Sequence, residues 1–100
     1  MNNEDIIRLL KEHKKDIEKF GVKRIGIFGS FRRGENNEDS DVDIVVEFKK
    51  GMGTFKNFGG LVEYLESLLK RDVDILTPMG IESIRIKEIK EKIKKEVLYV

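Results

Sequence analysis

Residues 41–48 read Asp-Val-Asp-Ile-Val-Val-Glu-Phe, and no other stretch restricts the fold as much. Taken as a strand, it puts Val42, Ile44, Val46 and Phe48 on one face. Asp41, Asp43, Val45 and Glu47 fall on the other, because side chains alternate along extended backbone. One face then belongs to a core and the other to solvent or to something charged. Residues i and i+2 of a strand stand about 6–7 Å apart at Cα. Asp41 and Asp43 therefore aim two carboxylates at one volume, where they are either solvated or neutralised by a cation.

The flanking segments supply the partners such a strand needs. Ile6, Leu10, His13, Ile17 and Phe20 recur at spacings of four and three, one face of an amphipathic helix. Asp5 lies in its first turn and Gly21 beyond its end. Val22 to Phe28 reads as a strand that Gly29-Ser30 breaks. One helical turn over 30–34 follows, with Ser30 as its N-cap, and then the polar loop Glu35–Ser40. Lys49–Gly60, rich in glycine, reads as a loop. Phe58, Leu61, Leu65, Leu68 and Leu69 mark a second helix, and Asp72–Thr77 a third strand stopped by Pro78 and Gly80. Ile86, Ile89, Ile93 and Val97 stripe a third long helix that starts at Ile81 or Glu82. The expected class is α/β (α+β), a small mixed sheet with helices packed on one face. The odd face of the second strand, with its aspartates, is then left open.

At 100 residues the chain is expected to form a single domain, 1–100. Its 20 Lys and Arg against 19 Asp and Glu argue against direct nucleic-acid binding, which needs a basic excess. No apolar run approaches the roughly 18 residues of a membrane span. The charged N-terminus lacks the apolar centre of a signal peptide. Cysteine is absent, which excludes disulfides and thiolate metal sites. A cytoplasmic location away from membranes is expected.

The carboxylates acquire a chemical meaning from what surrounds them. Mg²⁺ prefers a few carboxylates, with water and phosphate oxygens filling its shell. Two such ions can stabilise the attacking and leaving oxygens of a phosphoryl-type transfer. Asp74, flanked by the core-facing Val73 and Ile75, is the natural third carboxylate from another strand. Gly29 lets backbone approach a phosphate closely, Ser30 adds a hydroxyl, and Arg33 lies one turn on. No Gly-Lys-Ser/Thr follows, so this is not a Walker A loop.

Gly29-Ser30, ten residues, then Asp41-Val42-Asp43 resembles the signature of the polymerase β-type nucleotidyltransferase superfamily. The segments GSFRRGE, SDVDIVVEF and VDILT, in that order, resemble the minimal nucleotidyltransferases, or MNT antitoxins, over nearly the whole chain. The resemblance implies a nucleotidyltransferase-like fold and Mg²⁺-dependent transfer of a nucleoside monophosphate, with ATP as the expected donor and two ions expected. It implies Asp41, Asp43 and Asp74 as metal-binding and catalytic residues, with Asp74 as the base. Gly29, Ser30 and Arg33 become the nucleotide contacts. It further implies a HEPN-domain toxin as partner and a toxin hydroxyl as acceptor of AMP. The chain departs from the family at Arg32, where small residues are common, and it has no room for a base-gripping second domain. A partner, or a second copy in a homo- or hetero-oligomer, is expected to complete the site.

Plainer readings exist for each feature. An isolated Asp-x-Asp is usually a solvated strand face. Ser30 can be only a cap, and Arg32 and Arg33 only solvated. The last helix, IKEIKEKIKKE, reads as a solvated face laced with i,i+4 pairs. Two other functions stand beside transfer to a protein: an antitoxin that neutralises its partner by contact alone, and a transferase acting on a small molecule.

Overall fold

The computed structural model describes residues 1–100. The chain runs α1 (Asn3–Glu12), α2 (Lys14–Glu18), β1 (Val22–Phe28), α3 (Gly29–Arg33), β2 (Val42–Phe48) and α4 (Phe55–Leu69). It continues through β3 (Val73–Leu76), α5 (Pro78–Glu82), α6 (Lys87–Glu96) and β4 (Leu98–Tyr99). The four strands form one sheet in the order β3-β2-β1-β4. β1 is antiparallel to both β2 and β4, whereas β2 and β3 are parallel. Parallel neighbours need a long crossover, and α4 provides it. The expected mixed sheet with packed helices is what forms.

The even face of β2 lies in the main core. Val42, Ile44 and Val46 are fully enclosed there, together with Ile6 and Leu10 of α1, Ile17 of α2, Ile25 and Ile27 of β1, and Leu61, Leu65 and Leu69 of α4. Leu61, Leu65 and Leu69 are four apart, so one stripe of α4 lies along the sheet. Each such side chain contributes roughly 1.5–3 kcal/mol on burial. The predicted N-terminal helix breaks into two at His13, yet Ile6, Leu10 and Ile17 all still reach the core. Asn2 and Asp5 close a reciprocal capping box at its start.

Three expectations are corrected here. The odd face of β2 is not left open: Val45 is completely buried against Phe28 and Ile81, with Ile93, Val97 and Tyr99 packed around them. Helices thus cover both faces, α5 and α6 lying on the second. The single long C-terminal helix is instead α5, a break over residues 83–86, α6, and an edge strand. Ile81 must sit on Val45 while Leu98 and Tyr99 pair with Ile27 and Gly26 of β1, and one straight helix cannot reach both places. Gly26 permits that pairing, since a Cβ there would press on the backbone of Leu98 and Tyr99. Finally, α4 starts at Phe55, three residues earlier than its apolar stripe, because the Thr54 hydroxyl accepts the Asn57 N–H and caps it.

Candidate active site

The sheet brings the predicted carboxylates to one end of its odd face. Asp43 lies between two neighbours in register, Phe28 on β1 and Asp74 on β3. Adjacent strands are about 4.8 Å apart, so Asp43 and Asp74 stand side by side, with Asp41 one pleat away. Asp72 follows the same edge, and its carbonyl accepts the Val42 N–H at 3.0 Å. Arg71 holds the polar loop over this edge, donating to the carbonyls of Asn37, Glu38 and Ser40 at 3.3, 2.9 and 3.1 Å. A polar pocket of about 340 Å³ opens beside Asp41, rimmed by Lys70, Arg71 and Asp72. The larger cavity, about 480 Å³, lies further along the same face between Arg24, Met79, Val97 and Tyr99, away from the carboxylates.

The like charges disturb one another. Partial burial, then Asp74 and Asp41, push the Asp43 carboxyl up to about 6, against a smaller opposing pull from Arg33. Asp41 is also raised, by desolvation and then by Asp74, Asp72 and Glu66. Asp41 is exposed at the surface, so the crowd of carboxylates is the more telling cause. No three acidic or histidine side chains converge tightly enough to hold a metal ion unaided. An open set of hard oxygen donors that repel one another is nevertheless what suits Mg²⁺, which takes few protein ligands and leaves positions for phosphate. The donor set fits such an ion.

Gly29 closes the site from β1. Its φ of +75° is a left-handed backbone, and a Cβ there would collide with Oδ2 of Asp43. Only glycine fits both demands. Gly29 opens α3, and Phe28 is the N-cap; Ser30 lies within the helix and its side chain makes no capping bond, contrary to expectation. The β1 strand runs directly into α3, leaving no free turn for a side-chain cap. Ser30 remains partly exposed near the aspartates' end of the sheet.

Sequence reasoning missed Glu96, at the end of α6. Its Oε2 accepts the Gly29 N–H and its Oε1 accepts Nη1 of Arg33, both at 2.7 Å. Its carbonyl accepts Nε of Arg32 at 3.1 Å. Arg33 also donates to Glu35 at 2.9 Å. Burial alone would raise the Glu96 carboxyl, but Arg33, the Gly29 N–H and Lys92 together bring it below its usual value. All six predicted site residues thus fall at one end of the sheet, with Gly29 and Arg33 already engaged by a seventh.

The nucleotidyltransferase domain family matches residues 7–100. A protein adenylyltransferase, MntA, of Thermococcus cleftensis is 45% identical over 98 residues, covering 97% of this chain and 94% of that protein. A solved structure provisionally named a minimal nucleotidyltransferase superposes with a TM-score of 0.76 at 30% identity, covering 98% of this chain and 95% of the other. A toxin–antitoxin structure solved with AMP-PNP gives a TM-score of 0.62 at 23% identity, over 99% of this chain and 72% of that one. At that identity it speaks for the fold alone.

Proposed function

The chain belongs to the nucleotidyltransferase domain family and is a nucleotidyltransferase, and from that premise we propose that it moves AMP from ATP onto a hydroxyl of a partner protein, as the antitoxin of a toxin–antitoxin pair. The partner we propose is a HEPN-domain toxin. The observation that carries the chemistry is the juxtaposition of Asp41, Asp43 and Asp74 with Gly29 at one end of the sheet. The protein acceptor rests on the likeness to the MntA adenylyltransferase, and the antitoxin role on the resemblance of the GSFRRGE, SDVDIVVEF and VDILT segments to the MNT antitoxins.

In this reading Asp41 and Asp43, with Asp74 beside them, hold Mg²⁺. When bound, the ion neutralises phosphate charge and makes a nearby hydroxyl easier to deprotonate. Gly29 offers its N–H, Ser30 its hydroxyl and Arg33 its guanidinium to the triphosphate. Asp74, exposed at the rim, receives the proton of the acceptor hydroxyl. The hydroxyl oxygen bonds to the α-phosphorus, the bond from that phosphorus to the bridging oxygen breaks, and pyrophosphate leaves with the electron pair.

The test is the intact mass of a HEPN-type partner incubated with this chain, ATP and Mg²⁺, alongside the Asp41→Asn/Asp43→Asn double variant. The expected result is a gain of one or more AMP units on the partner that the variant fails to produce. No gain with any nucleoside triphosphate, while the variant still silences the partner, would replace transfer with neutralisation by contact.

A further inference from the structure

We propose that Glu96 is an internal occupant of the seat that a nucleotide phosphate takes, so that nucleotide binding and the Glu96 contact exclude each other. This rests on reading Gly29 and Arg33 as the phosphate contacts. The two donors grip different oxygens of one carboxylate, each at 2.7 Å, the short distance of a charge-assisted bond. A backbone N–H and an arginine N–H that converge on two oxygens of one anion suit two phosphate oxygens as they suit a carboxylate. The Glu96 side chain is only 11% exposed, so it is seated in the site rather than lying over it.

Its position is otherwise hard to explain. A fourth acidic group is brought to a site that already holds Asp41, Asp43 and Asp74, and its charge bears on Asp43. Packing does not require it there, because the apolar contacts in this stretch come from Ile93 of α6 and from Val97 just past its end. The carboxylate instead satisfies Gly29 and Arg33 while no phosphate is present.

The surrounding bonds show how the seat can be vacated. The Glu96 backbone is tied by Arg32, and the next residues pair with β1 at Gly26 and Ile27. The backbone can therefore stay while the side chain rotates away. The consequence is selectivity. A weakly bound anion cannot displace Glu96, whereas a polyphosphate with many contacts can. Return of Glu96 after transfer would also help to expel pyrophosphate.

Calorimetric titration of the purified chain with inorganic pyrophosphate, and with α,β-methylene-ATP plus Mg²⁺, tests this. Glu96→Gln and Glu96→Ala should bind both probes about tenfold or more tightly than the unaltered chain, the scale of one charge-assisted contact. Arg33→Gln should bind them more weakly. Equal or weaker binding by both Glu96 variants would overturn the proposal and make Glu96 a brace for Arg33. If neither the unaltered chain nor any variant binds either probe, the phosphate-seat reading falls and the proposal with it. A readout in the unaltered chain guards against a misfolded variant. The assigned ¹³C resonance of the Glu96 carboxyl should move on saturation with pyrophosphate; a fixed resonance at saturation would equally overturn the proposal.

Discussion

On one face of β2, Val42, Ile44 and Val46 are all fully enclosed by α1, α2, α4 and β1. On the other, three successive residues meet three surroundings: Asp43 crowds other carboxylates, Val45 is sealed under Ile81, and Glu47 pairs with Arg24. The first face is uniform, and its apolar contacts all favour the folded state. The second is divided along its length, with an unfavourable end, an apolar middle and a paired end. Folding is driven from one face and from the middle of the other. The remaining end is left free to hold like charges that burden the fold, the carboxylates proposed above to serve transfer.

Asp43→Asn gives the sharpest contrast. Under the proposed mechanism, loss of the Asp43 charge should cut transfer by about a thousandfold, close to 4 kcal/mol of barrier. The same change should leave the melting temperature of the metal-free chain unchanged or several degrees higher, because one repelling carboxylate is gone. Kinetics and thermal melts on one preparation check both. A melting temperature well below that of the unaltered chain would show that Asp43 supports the fold, and the contrast would fail. Ile44→Ala, the next residue but on the other face, should do the reverse. It should cost about 3 kcal/mol by denaturant titration, while transfer per folded molecule stays near normal.

The two faces were also unequally legible. The even face was visible in the alternation of residues 42–48 and in the stripes of α1 and α4, since periodicity is local and burial follows it. The carboxylate cluster was visible too, because i and i+2 geometry and the glycine break at 29 are properties of short stretches. What covers the odd face was not. Val45 among acidic residues was the one readable hint, an apolar side chain with no reason to face water. The break at 83–86 contains neither Pro nor Gly. It follows from Ile81 and Leu98 having to reach separate parts of the sheet, a demand no local window contains. Glu96 was hidden for the same reason: IKEIKEKIKKE resembles any solvated helix, and its carboxylate partners lie 63 and 67 positions away.

Acidity offers a finer probe of the unfavourable end. The folded Asp43 carboxyl titrates at about 6, against roughly 3.9 in an unfolded chain. Between those values the folded chain retains a proton that the unfolded chain has released. The Asp43 contribution to the stability of the metal-free chain should therefore fall as pH rises from 4 to 6 and level off above. After allowance for partial exposure, the loss from this group is about 1–2 kcal/mol. Chemical denaturation in EDTA across that range measures it, and Asp43→Asn should flatten the slope. A slope that survives the substitution would assign the titration to another group.

The paired end should respond least. Nε of Arg24 lies 2.6 Å from Oε1 of Glu47, and its guanidinium stands 3.9 Å from the centre of the Tyr99 ring. Both partners are partly open to water, with 49% of the Arg24 side chain exposed, so screening keeps the pair weak and the stacking modest. Arg24→Ala should cost about 1 kcal/mol in denaturant midpoints. Arg24→Lys should recover part of that, keeping the charge while losing the planar stack. Opposite charges that face each other at this end settle into a small gain, whereas like charges at the Asp43 end sustain a penalty. If Arg24→Ala proved as damaging as Ile44→Ala, the odd face would contribute to the fold along its whole length. The unfavourable carboxylates would then be offset within their own face, and not by the core on the opposite side.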